Sequence, residues 1–293
     1  MFNHNGIKNI ETLEQAKIKY EKDQIYEVMT TSQSLLANYE DKCVEVKIIM
    51  LKKVPLREAQ LLTLETHRIL SFMSKRADIP SSFQKVMQIF KVKENTLYLF
   101  IYEPLGSKLC LYELALKSKI SARNMKWMIK QLVDLIVYFE KFGVAHRYIT
   151  PENIFLVTNT QIKLKASEMV CFTINPKKKK RTARKRGLQD EQQAYWRHLP
   201  PDCFNALYDA SKVDVWSTGI VQVFCLTGGI WPFDKKMLID GIETCRQHYQ
   251  QNIRGLADLS KNIEILDRCF VDQNDRISPK KLDTLLRSSS AVV

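Results

Sequence analysis

The spacing of apolar residues changes period at Pro104-Leu105-Gly106, and this restricts the chain to folds that keep a strand-rich part distinct from a helical one. Before that turn, Ile25–Thr30, Ser34–Tyr39, Cys43–Met50, Val86–Phe90 and Thr96–Tyr102 read as short strands. In Cys43–Met50, Val44, Val46 and Ile48 alternate with Glu45 and Lys47, the pattern of a half-buried strand with charges on its wet side. Pro55–Met73 reads as the one helix of this part, with Leu61, Leu64, the Arg68 stem and Ile69 near one face. After the turn the period is helical. Ser121 is placed as N-cap of a helix running to about Phe142, and Gly143 marks its end. Val213–Thr227 reads as a buried helix stopped by Gly228-Gly229, and Ser278-Pro279 opens a last helix. The expected class is α+β with two lobes.

Composition excludes several alternatives. With 45% hydrophobic and 26% charged residues among 293, the chain has the make-up of a soluble protein with a sizeable core. No apolar run approaches the roughly 20 residues of a membrane span; Trp216–Leu226 is short and interrupted by Gln222. Met1–Lys8 lacks the apolar region of a secretory signal. Cys43, Cys110, Cys171, Cys203, Cys225, Cys245 and Cys269 are odd in number and contain no C-x-x-C pair, which points to reduced thiols in cytosol or nucleus. His67, His198 and His248 lack metal-ligand spacing. The net charge of +13 is concentrated locally. Lys177, Lys178, Lys179, Lys180, Arg181, Arg184, Lys185 and Arg186 stand in a stretch, Asn175–Gln193, that has no periodicity and reads as a loop. The run fits a nuclear import signal, a docking arm for an acidic partner, or a solvated loop with no dedicated partner. Nucleic acid fits less well, because no aromatic platform flanks the run apart from Trp196 nearby.

A set of ordered motifs carries a resemblance. His146-Arg147-Tyr148-Ile149-Thr150-Pro151-Glu152-Asn153-Ile154-Phe155-Leu156 resembles the protein kinase catalytic loop, H-R-D-L-K-P-E-N-I-L-L. Ile162–Glu168 falls where kinases read I-K-L-x-D-F-G, and Val44-Glu45-Val46-Lys47 is similar to V-A-I-K. His198–Asp202 resembles Y-x-A-P-E, Asp214–Gly219 resembles D-x-W-S-x-G, Gly229–Phe233 resembles G-x-x-P-F, and Asp272–Arg276 resembles D-P-x-x-R. The likeness runs from about residue 25 to 287 and is nearest in flavour to the calcium/calmodulin-dependent and testis-specific serine kinase branch. It implies a bilobal α+β fold. Residues 1–24 are then an N-terminal extension, 25–103 the N-lobe, 104–287 the C-lobe with its activation segment at 166–202, and 288–293 a tail.

The same likeness exposes departures. Phosphoryl transfer needs phosphates cradled, metal ions held and an acceptor hydroxyl oriented. Tyr26–Cys43, where a glycine-rich loop belongs, contains no glycine. Lys47 matches the phosphate-contacting lysine and Glu65, eighteen residues on, its helix partner; two solvated charges are the plainer reading of that pair. Tyr148 replaces the aspartate that orients the acceptor hydroxyl, and a phenol is protonated at neutral pH. Thr150 replaces the catalytic-loop lysine. Ala166 replaces the magnesium-holding aspartate and has no side-chain oxygen, leaving Asn153 as a residual ligand or a structural amide, and Glu168 as a rescue ligand two positions along. Arg147, Asp202, Asp214 and Arg276 are retained; in the family the last three brace the helical lobe. The resemblance therefore implies a noncatalytic scaffold or allosteric regulator that requires no cofactor. Magnesium is disfavoured, ATP binding stays open, and the partners are proteins such as an active kinase or an import factor. The expected location is cytoplasm, nucleus or both, without membrane. An atypical active serine/threonine kinase is the alternative.

Overall fold

A computed structural model of the chain describes residues 7–19, 34–50, 57–92, 97–106, 109–167, 182–183, 194–205 and 208–288. These fall into two compact units: the residues up to Gly106 together with Lys165–Ser167, and the remainder.

The first unit is a six-stranded sheet with one long helix. Its strands are β1 (Ile7–Ile10), β2 (Ile18–Lys19), β3 (Ser34–Tyr39), β4 (Lys42–Met50), β5 (Val86–Val92) and β6 (Leu97–Tyr102), with helix α1 at Arg57–Ser74. The order across the sheet is β1-β5-β6-β4-β3-β2, with β1 parallel to β5 and the other pairs antiparallel. Buried residues from all six strands, among them Ile10, Ile18, Leu35, Val46, Phe90 and Leu99, form one apolar cluster. The chain passes from β1 at one edge to β2 at the other within the seven residues Glu11–Lys17, a short link that a curled sheet accommodates. The connection from β1 to β2 crosses between those edges and contains a 3-10 turn at Leu13–Ala16. Glu40 and Asp41 make the tight β3–β4 turn with φ of 49° and 58°, a left-handed pair usually given to glycine or asparagine.

Two expectations need correction. Residues 7–19, read as part of an extension ahead of the strands, supply both edges of the sheet. Among their described side chains only Ile10, Ala16 and Ile18 are buried, too few for a periodic signal. The second concerns β4, which is buried on both faces over Val44–Ile49: Glu45 is 4% exposed and Lys47 6%. Its alternation separates two buried environments, one apolar and one polar. The expected strand at Ile25–Thr30 lies outside the described residues.

The second unit is mainly helical. Its helices are α2 (Leu111–Lys117), α3 (Ala122–Lys141), α4 (Asp202–Asn205), α5 (Ala210–Thr227), α6 (Lys235–Asp240), α7 (Ile242–His248), α8 (Ile263–Cys269) and α9 (Pro279–Ser288). Two small antiparallel pairings accompany them, β7 (Ile154–Leu156) with β8 (Ile162–Leu164), and β9 (Thr182–Ala183) with β10 (Tyr208–Asp209). The Ser121 hydroxyl accepts the Asn124 N–H, capping α3, which turns Met125, Met128, Ile129, Leu132, Ile136 and Phe139 inward. Helix α5 is buried nearly all round, so its polar residues must find internal partners. Thr218 donates to the Asp214 carbonyl at 2.8 Å, and the Asn262 amide donates to Gln222 at 2.9 Å. Gly228, with φ 78°, ends the helix in the left-handed region.

Gly219 lets α5 approach α8 closely. A Cβ there would sit 2.9 Å from Cys269 Cβ and from the Phe270 ring, which itself packs edge-on against Trp216 and Phe233. Gly219→Ala is expected to destabilise the chain by about 1–3 kcal/mol through overpacking, measured by urea unfolding. An unchanged midpoint would show that the packing relaxes freely.

Candidate functional site

In the first unit, Glu45 and Lys47 share the polar face of β4. Burial of Lys47 sets aside the reading in which it is a solvated charge. Glu65 lies on α1, and its side chain is outside the described residues. His67, also on α1 and fully buried, is hydrogen-bonded through Nδ1 to the Tyr102 hydroxyl, and its ring lies 4.9 Å from Phe100. Burial first, then the nearby Lys47 charge, holds His67 well below the usual histidine range, so it is neutral.

Ala166 is 1% exposed and offers only backbone to this face. Its N–H donates to Gln84 Oε1 at 2.8 Å. Gln84 donates in turn to Glu45 Oε2 at 2.8 Å, and Lys165 Nζ lies 2.9 Å from Glu45 Oε1. The Ser167 hydroxyl donates to the same oxygen at 2.7 Å. Glu45 and Gln84 were not singled out in the sequence. The strand period put Glu45 beside Lys47 and could have flagged it; nothing local marked Gln84.

In the second unit, the loop from His146 is shaped by Asp214 near the start of α5. The N–H groups of His146 and Arg147 each donate to one Asp214 carboxyl oxygen at 2.7 Å. Arg147 has φ 61°, a conformation unfavourable for a long side chain and held here by those two bonds. Its guanidinium is wholly buried, lies 5.3 Å from the Tyr208 ring centroid and bonds the Tyr208 hydroxyl. Beyond it, the Tyr148 N–H donates to His146 Nδ1 at 3.2 Å, and the Tyr148 carbonyl accepts from the Asn153 amide at 3.1 Å. The phenol ring packs on the His198 ring with centroids 5.1 Å apart, and His198 Nε2 is 3.2 Å from the Arg147 carbonyl. Thr150 is buried and precedes the short 3-10 turn Pro151–Asn153. Asn153 thus ties the loop to itself.

Asp202 and Arg276 form a buried ion pair at 2.8 Å. Arg276 also donates to the Cys269 and Val271 carbonyls and lies over the Trp216 ring, so its charge is fully engaged. Burial raises the Asp202 carboxyl despite the Arg276 charge beside it. Lys177, Lys178, Lys179, Lys180, Arg181, Arg184, Lys185 and Arg186, like Glu168, lie outside the described residues; Thr182–Ala183 between them pair with β10.

Burial pushes the Asp214 carboxyl up to about 7, against the two amide donors and the Arg147 charge. An unfolded aspartate titrates near 3.8, so between these values the folded state takes up a proton the unfolded state does not. This group's contribution to stability is therefore full below about pH 4 and lost as pH rises through about 7. Asp214→Asn is expected to lower Tm at about pH 5 and to shrink the fall in Tm from there to about pH 7.5. An equal fall in both proteins would remove Asp214 as its source.

The protein kinase domain family matches residues 37–285. CBL-interacting protein kinase 11 from Oryza sativa subsp. japonica is 26% identical over 268 residues, covering 90% of this chain and 47% of the relative. CBL-interacting protein kinase 21 from the same organism is 29% identical over 150 residues, covering 51% and 26%. A probable serine/threonine-protein kinase HSL1 from Saccharomyces cerevisiae is 30% identical over 194 residues, covering 64% and 12%. The chain spans about half or less of the length of these relatives. With a family match over most of its length, a curled sheet with one helix in the first unit and a helical second unit, the chain belongs to the protein kinase domain family.

Proposed function

We propose that this kinase-family domain is a pseudokinase, a noncatalytic scaffold or allosteric regulator that engages protein partners, another kinase among them. The observation that carries this reading is Ala166. At the position where the family holds magnesium, the side chain is a buried methyl group and the backbone N–H is committed to Gln84. Magnesium needs oxygen ligands in near-octahedral geometry, and a methyl supplies none. Among the described residues, this position therefore offers the metal no side-chain oxygen. Tyr148 supports the same reading, because a phenol on a histidine ring is not a ready base at neutral pH. Retention of Asp214 and the Asp202–Arg276 pair fits a domain kept for its shape.

The scaffold role agrees in kind with relatives whose names record an interaction with CBL; the partner of this chain is a separate question. The basic run Lys177–Arg186 would serve as an import signal or as an arm for an acidic partner, giving a cytoplasmic and nuclear distribution. A second reading, an atypical active serine/threonine kinase, is favoured by the buried Lys47 and by the kinase names of the relatives.

One experiment separates the two. Purified protein with ATP and magnesium is expected to transfer no more phosphate to a generic substrate than Lys47→Ala does. Losing a positioned acid–base group costs about 10²- to 10⁴-fold, so a sensitive radiometric assay is required. Transfer clearly above the Lys47→Ala level would overturn the pseudokinase reading and establish the atypical kinase.

A further inference from the structure

We infer that Glu45, Gln84, Lys165 and Ser167 form an internal charge latch that fixes the Ala166 segment to the sheet of the first unit without nucleotide or metal. The inference starts from an oddity in β4. A carboxylate stands in the middle of a strand buried on both faces, two residues from the buried Lys47. An isolated buried carboxylate is strongly unfavourable, so its partners are structural requirements. Three of the partners described come from one short segment and one glutamine. Lys165 Nζ at 2.9 Å and the Ser167 hydroxyl at 2.7 Å converge on Oε1, and Gln84 Nε2 at 2.8 Å meets Oε2.

Gln84 makes the arrangement directional. It is fully buried and used at both ends. Its amide nitrogen donates to Glu45 and to the Glu103 carbonyl at 3.2 Å, which leaves its oxygen facing the segment. That oxygen accepts the N–H groups of Ala166, at 2.8 Å, and Ser167, at 3.4 Å. Two side chains and two backbone amides of Lys165–Ser167 are thereby bound to the first unit. Each donor named has its acceptor within this chain, so ordering the segment needs no ligand. A protein that orders the same segment through a bound cation would need the cation first. This chain supplies the opposite charge itself, from Lys165. The inference does not depend on whether the domain transfers phosphate.

Amide hydrogen exchange read by mass spectrometry tests it on the intact chain, comparing the unsubstituted protein with Gln84→Leu, Glu45→Gln and Lys165→Met. Peptides covering Ala166 and Ser167 are expected to be protected without ligand and unchanged by ATP with magnesium. In Gln84→Leu, which leaves both charges in place, their exchange is expected to rise about tenfold, the scale of one lost buried hydrogen bond, while peptides from α3 and α5 stay at the unsubstituted rate. Exchange in Gln84→Leu equal to that of the unsubstituted protein would overturn the latch. So would a segment that becomes protected only when ATP and magnesium are added. Should Glu45→Gln fail to fold, Gln84→Leu and Lys165→Met still decide the matter, because each removes one of the carboxylate's named contacts and leaves it at least two others.

Discussion

A carboxylate survives inside a protein only where donors converge on it, and each unit of this chain is organised around one such group. In the second unit it is Asp214, whose two oxygens take the consecutive N–H groups of His146 and Arg147. Those bonds hold Arg147 in the left-handed region, and the positions of Tyr148 and Asn153 follow from the turn so made. In the first unit it is Glu45, whose donors come from Gln84 and from Lys165 and Ser167, far along the chain. Either arrangement is rigid for the same reason: a buried polar group left without a partner costs more than the bond itself gains.

Framework and transfer chemistry make separable demands on a kinase-family sequence. The framework wants buried, neutralised charges, and Asp202 with Arg276 meets that need with each nitrogen of the Arg276 guanidinium engaged. Transfer chemistry wants carboxylates left available to a metal and a hydroxyl. The packing of Trp216 and Phe233 on Phe270, and of Phe270 against Gly219, belongs wholly to the framework.

Legibility followed the range of the interactions. Helix α3 was readable because its apolar residues repeat at helical spacing and Ser121 and Gly143 punctuate its ends. Helix α5 was readable from its apolar run and its glycine stop. The edge strands β1 and β2 were not, since each is a few residues long and exists only by pairing with β5 and β3. The polar face of β4 was read as wet because alternation reports that two sides differ, not that one meets water.

By itself the sequence determined the class of the fold, the order of its motifs and the residue types at the reaction positions, since these are local patterns and chemical identities. Tertiary structure alone decided that Glu45 and Lys47 are buried, that residues 7–19 supply both edge strands of the sheet, and that Gln84 reaches the backbone of Ala166. Those facts concern groups up to 82 positions apart, and no periodicity within a segment encodes which distant donor a buried acceptor will find.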